Sequence, residues 1–255
     1  MSNETQETPA VVTGQRSISR TQLMRHASCA ASGLSELGVR EGDAIALLLR
    51  NDFTFFEAAQ AANLIGAYAV PVNWHFQAAE INFILQDSEA KLLIAHADLL
   101  APIADQLPAD LKVIQVATPA EMLETYKLSN VAKDELPYPC WSEWLATLNP
   151  WHAKPAANRN NTIYTSGTTG KPKGVIRAPD TAESAARMLR FVDICYGFKP
   201  GEPIRTVVTG PMYHSAPNVF ASMALRAGGF VALQERFDPE QLLQWIEQHK
   251  ITHLH

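Results

Sequence analysis

The chain has 255 residues with 47% hydrophobic and 18% charged side chains, enough apolar material for the core of one large domain or two small ones. A net charge of -5 excludes a general nucleic-acid binder, whose affinity would rest on a basic surface. Three cysteines (Cys29, Cys140, Cys195) in no metal spacing argue against a disulfide framework or a zinc site and for reduced thiols. The polar N-terminus lacks the blocks of a signal peptide and no apolar run is long enough to span a bilayer, so a cytoplasmic protein without a transmembrane segment is expected.

In chain order, VVTGQRSIS predicts a hairpin around Gly14, and Ser19 with Gln22 fits a capping box that opens a helix ending near Gly38. AIALLL (44–49) predicts a buried strand, and the segment from Thr54 a helix to about Gly66. YAVPV, KLLIA and LKVIQVA predict further strands, separated by helices over AEINFILQDSE and DLLAPIADQL. Strands alternating with helices imply α/β architecture: layered, mostly parallel sheets with flanking helices. From 129 to 161 four prolines and three tryptophans mark a connection laid over the surface, because tryptophans clustered like this pack against something.

Two short strands, Thr162–Tyr164 and Gly174–Arg177, are predicted next, followed by a helix over 180–196. IRTVVTG and GFVALQE predict strands around a helix over PNVFASMALRAG. Asp238 caps the last helix, with Pro239 at its first position. ITHLH begins another strand. A chain that stops inside such a pattern is expected to be the incomplete first part of a larger domain, with a sheet region over 1–160 and a second beginning within 161–255.

The chemistry concentrates in YTSGTTGKPKG (164–174). It lies in a stretch from 144 to 179 that has no acidic residue but contains Lys154, Arg159, Lys171, Lys173 and Arg177. A Walker A loop would need a hydroxyl directly after the lysine and a helix opening there, but Pro172 follows Lys171. A dinucleotide fingerprint needs a different glycine spacing, also opening a helix. The remaining reading is a strand–loop–strand anion clamp. Gly167, Gly170 and Gly174 permit backbone N–H groups to converge, Thr165, Ser166, Thr168 and Thr169 add hydroxyl donors, and Lys171 and Lys173 add charge. A polyphosphate has acceptors enough for all of them.

YTSGTTGKPKGV resembles the signature phosphate loop of the adenylate-forming superfamily, which includes acyl-CoA synthetases, luciferases and peptide-synthetase adenylation domains. GPMYHSAPN (210–218) is similar to that family's next motif, and NDFTFFEAAQAANLIGAYAVPVNWHF to an earlier strand–helix–strand. The resemblance implies the large N-terminal domain of that fold, truncated. It implies that Thr165, Ser166, Gly167, Thr168, Thr169, Gly170, Lys171 and Lys173 hold the β- and γ-phosphates of ATP. It also puts Tyr213, His214 and Ser215 at the acyl and carboxylate pocket, with Val219, Phe220 and Met223 as apolar lining. Amino-acid-activating relatives carry a Phe-Asp pair where Tyr213-His214 stands, so an acyl-CoA synthetase acting on a fatty or other hydrophobic carboxylic acid is the implied branch.

By the same resemblance ATP, Mg²⁺ and coenzyme A are the cofactors. The family's adenine and Mg²⁺ motif, ribose aspartate and small C-terminal domain with its catalytic lysine have no match here. No catalytic residue and no metal ligand is therefore assigned, the missing C-terminal part is an expected partner, and the chain alone is expected to be inactive. A homodimer is allowed. The alternative is a non-catalytic nucleotide- or acyl-binding module that keeps the loop. His253 and His255 share one strand face as a metal pair without a third ligand, whereas His75 and His152 read as surface or packing residues.

Overall fold

The computed structural model describes residues 7–131, 135–166, 172–199 and 201–254. Its first elements are the hairpin β1 (Pro9–Thr13) and β2 (Arg16–Ser19) and the helix α1 (Arg20–Glu36). The expected capping box is present: the Ser19 side chain accepts from Gln22 N–H, and the Gln22 side chain accepts from Ser19 N–H. Next come β3 (Ala44–Leu48), α2 (Phe53–Ile65), β4 (Tyr68–Pro71), α3 (Ala78–Asp87), β5 (Ala90–His96), α4 (Ala97–Leu100), β6 (Lys112–Val116), α5 (Ala120–Tyr126) and α6 (Trp141–Ala146).

β3 to β6 form one parallel sheet in the order β4-β3-β5-β6. The run AIALLL has no polar alternation because both faces of this sheet are covered. Ile45, Leu47 and Leu49 pack with α1, α2 and a second sheet, while Ala44, Ala46 and Leu48 pack on the other side with Ile84 and Leu85 of α3. The helix expected over DLLAPIADQL is α4 followed by a 3₁₀ turn, Ala101–Gln106. Pro102 supplies the reason, since it lacks the N–H that an α-helical ladder needs there. The tryptophans of 129–161 pack as expected. Trp141 lies beside Trp144, with ring centroids 5.4 Å apart, and donates Nε1–H to Glu57 of α2 at 2.9 Å. Trp144 closes on Gly33 of α1 so tightly that an added Cβ would lie 2.3 Å from its ring.

The remaining elements are β7 (Tyr164–Ser166), β8 (Pro172–Gly174), α7 (Ala182–Tyr196), β9 (Arg205–Val208), α8 (Ser215–Arg226), β10 (Phe230–Leu233), α9 (Pro239–Gln248) and β11 (His253–Leu254). The second sheet has the order β11-β9-β10-β1-β2. The division expected near residue 160 therefore does not follow the sheets: the N-terminal hairpin pairs in parallel with β10 through Val11↔Val231 and Val12↔Ala232. The apolar layer between the two sheets includes Leu34, Phe55, Phe220 and Leu233.

β7 and β8 form a separate antiparallel ribbon, shifted from the expected strands. Thr162 N–H instead bonds Ala69 O beside β4, and Val175 and Ile176 are exposed beyond the ribbon. The register Tyr164↔Gly174 has a steric cause. The Tyr164 ring covers Gly174, where a Cβ would lie 2.6 Å from it, so only glycine fits opposite the tyrosine.

Candidate functional site

The ribbon is the stem of the expected anion clamp. Gly167, Thr168, Thr169, Gly170 and Lys171 lie outside the described residues. On the stem, Thr165 pairs with Lys173 and Ser166 contributes its backbone opposite Pro172. Tyr164 anchors the stem by donating its hydroxyl to Asp87 Oδ2 at 2.6 Å, and burial together with that carboxylate pushes its phenol well above the usual range. Of the positive stretch, Arg159 is already engaged, with Glu41 at 3.2 Å and with the hydroxyl and ring of Tyr68.

Thr165 and Lys173 open onto a cavity of about 600 Å³. One face of α8 runs along it, contributing Ser215, Asn218, Val219, Ser222, Met223 and Arg226 at the spacing of a single helical stripe. Leu23, Phe56 and Ala59 from α1 and α2 and Met188 from α7 complete an apolar middle. Its charged lining is Arg20, Lys173, Arg177 and Arg226, and no carboxylate of the described residues lines it.

The three residues expected at the acyl pocket diverge. Ser215, the first residue of α8, lines the cavity. His214 is the N-cap of that helix and lines a separate space of about 210 Å³ with Gly210 and Phe220. Tyr213 is buried edge-on against Trp74, ring centroids 4.6 Å apart, and lines none of the three cavities described among these residues. Of the expected apolar lining, Val219 and Met223 reach the large cavity, whereas Phe220 is core. His253 bonds Gly197 O and Thr252, and His255 lies outside the described residues.

Sequence reading missed the residues that fix these parts together. They sit where the carboxyl ends of both sheets meet, the edge of parallel sheets on which ligand sites form. Directly after β3, Asn51 is 2% exposed and bonds three backbone groups. Its Nδ2 donates to Gly210 O at 3.0 Å and Gln234 O at 3.1 Å, and its Oδ1 accepts from Met212 N–H at 2.9 Å. Asn218 continues the chain, donating to Met212 O at 2.8 Å and accepting from Asn161 Nδ2 at 2.9 Å, three residues before the stem. The available signal was Arg50-Asn51-Asp52, three polar residues directly after an apolar strand.

The neighbours of Asn51 form ion pairs. Arg50 N–H donates to His96 Nδ1 at 3.0 Å, leaving the ring proton on Nε2, which faces Asp52 at 3.3 Å. Burial would raise the Asp52 carboxyl, but the His96 ring and the Arg16 guanidinium at 2.7 Å outweigh it and hold the group below the ordinary carboxylate range. The Arg50 guanidinium bonds Asp98 at 2.6 Å and lies 4.1 Å from the Tyr126 ring, near the same Trp74 that supports Tyr213. Tyr126 and the Arg16 partner Glu121 both come from α5, a helix not anticipated from sequence.

The sequence model of the family described as AMP-binding enzyme matches residues 2–255. A fatty acid–[acyl-carrier-protein] ligase of Streptomyces coeruleorubidus is 33% identical over 171 residues, covering 67% of this chain and 30% of the relative. A 2-succinylbenzoate–CoA ligase of Geobacillus kaustophilus is 29% identical over 253 residues, covering 97% of this chain and 44% of the relative. The chain thus spans less than half the length of these relatives. The fold matches O-succinylbenzoate coenzyme A synthetase of Bacillus subtilis, solved with ATP and magnesium ion, at a TM-score of 0.70 and 20% identity, covering 97% of this chain and 59% of that one.

Proposed function

Because the chain belongs to the AMP-binding enzyme family, we propose that it supplies the phosphate grip and the acid pocket of an enzyme that activates a hydrophobic carboxylic acid with ATP. The observation that carries this reading is the stem of the glycine- and hydroxyl-rich loop opening, through Thr165 and Lys173, directly into an apolar cavity free of lining carboxylates. A nucleotide polyphosphate and a hydrophobic acid are the two ligands such a junction suits.

In the proposed reaction a carboxylate oxygen of the acid attacks the α-phosphorus of ATP. The bond to the β-phosphate bridging oxygen breaks, giving an acyl-adenylate and pyrophosphate. A thiol, that of coenzyme A or of a carrier protein, then forms the thioester and releases AMP. The part of residues 165–174 is to orient the leaving pyrophosphate and offset its developing charge, a task of positioning and electrostatics rather than covalent chemistry. Among the described residues no group of three His, Cys, Asp or Glu is placed to hold a metal ion, and magnesium would enter the proposed reaction with ATP, its protein ligands unassigned here. No helix of the described residues is long and apolar enough to cross a membrane, and a cytoplasmic location stays part of the proposal.

The test is carboxylate-dependent exchange of pyrophosphate into ATP by the protein carrying this chain. Lys173→Ala should lower kcat/KM for exchange about ten- to hundredfold, the scale of losing a charged contact in the transition state. Unchanged exchange kinetics would remove the loop from the mechanism. Nucleotide binding with no exchange for any acid would favour the non-catalytic module.

A further inference from the structure

The large cavity is asymmetric along α8. At the first turn of α8 the Asn161–Asn218 bond holds the chain leading into the phosphate stem, so Ser215, Thr165 and Lys173 mark that end. The lining stripe continues to Arg226, eleven residues on, or about 16 Å along the helix axis. Between the ends the walls are Val219, Met223, Phe56 and Met188. A pocket for a simple hydrophobic acid would carry only apolar side chains at that end. This one carries two arginines, Arg20 half-buried and Arg226 exposed to solvent.

Arg20 donates through Nη1 and Nη2 to the carbonyls of Leu225 and Gly229, at 2.7 and 2.8 Å. Arg226 donates through Nη2 to Asn158 Oδ1 at 2.8 Å. All three acceptors are neutral oxygens, and neither arginine makes an ion pair among the described residues. Asp180, the carboxylate that acts on Arg226 through space, is held by Asn158 Nδ2 at 2.6 Å. Two guanidiniums with five N–H donors each, spent on three neutral acceptors, retain donors for a further anion. The bonds to carbonyls at the end of α8 account for the position of Arg20 but not for a second arginine lining the same end of the cavity.

Resting on the acid-activation reading, we infer that the substrate class is a long acid with a second anionic group at its far end, an α,ω-dicarboxylate, whose distal carboxylate is received by Arg226 and Arg20. The proximal carboxylate then lies at the Ser215 end, beside the phosphate stem, and the apolar middle takes the intervening chain. A distal carboxylate in a half-enclosed site gains charge-assisted hydrogen bonds that a methyl terminus cannot make.

Calorimetric titration of the protein carrying this chain with dodecanedioate and with dodecanoate tests this without requiring turnover. The expected result is that the diacid binds about tenfold or more tightly than the monoacid, and that Arg226→Gln and Arg20→Gln each cut that ratio about threefold or more. Equal affinities, or preference for the monoacid, would overturn the inference and leave the two arginines as supports for the end of α8, with acid activation intact. Binding of neither acid would overturn the acid pocket itself. The comparison of the two acids on the unmodified chain stands even where an arginine variant fails to fold.

Discussion

Gly174 shows how one missing methyl group can decide a register. Gly174→Ala would set a Cβ 2.6 Å from the Tyr164 ring and force either the tyrosine off Asp87 or the ribbon out of alignment. A destabilisation of about 1–3 kcal/mol is expected, the range for overpacking. ATP affinity measured by calorimetry should fall with it, and unchanged ATP affinity would mean the stem register is irrelevant to the grip. A second residue-scale case is Glu57, buried in α2 between Trp141 Nε1 and His26 Nδ1 at 2.7 Å. The hydrogen bond that the His26 ring donates to the Glu57 carboxylate outweighs the opposing effect of burial and leaves the imidazole raised above its ordinary value of 6.5. A raised folded-state value stabilises the protein fully below the unfolded value, and that contribution is lost as pH rises through the folded value. Urea unfolding should therefore show stability declining from just above pH 6.5, with a small amplitude because His26 is 44% exposed. His26→Gln should flatten that decline, and an identical decline in the variant would assign it elsewhere.

Between elements, the decisive contacts come from Asn51, which binds the ends of β9 and β10 to the end of β3. Asn51→Asp keeps an acceptor for Met212 N–H but turns a carboxylate oxygen toward two carbonyls. It should cost about 2–4 kcal/mol in chemical unfolding, more than a single neutral hydrogen bond is worth. A loss below that of Asn51→Ala would show that the two carbonyls do not need the donor. None of this was visible in sequence, whereas much of the local structure was. The run AIALLL, the Ser19–Gln22 box and the Asp238-Pro239 helix start are written in neighbouring residues, and each forms as read. The ribbon was misplaced by two residues because β-prone Val175 and Ile176 drew the strand forward, whereas the Tyr164–Gly174 steric pair set it back. Tyr213 and His214 were expected at the acyl pocket by their motif. Trp74, reached only through the fold, packs edge-on against Tyr213, which lines none of the three cavities, and His214 lines a space separate from the large one.

For the whole molecule, layering brings distant segments to one place. The carboxyl ends of β3, β5, β9 and β10 meet where Arg50, Asn51, Asp52 and His96 lie, and the β7–β8 ribbon enters beside them through Asn161. Periodicity forecast the parallel strands but carries no information about which strands become neighbours. That is why the hairpin at 9–19 read as a local opening rather than as two strands of the second sheet.

That hairpin also imposes an order of events during synthesis. Val11 leaves the ribosome more than two hundred residues before Val231, its partner in β10. At ordinary elongation rates the interval is about 10–45 s. Throughout it the first sheet can close on its own strands, while the β1 edge that β10 will cover has no mate. Of the described strands, the first two in chain order are thus among the last to be secured.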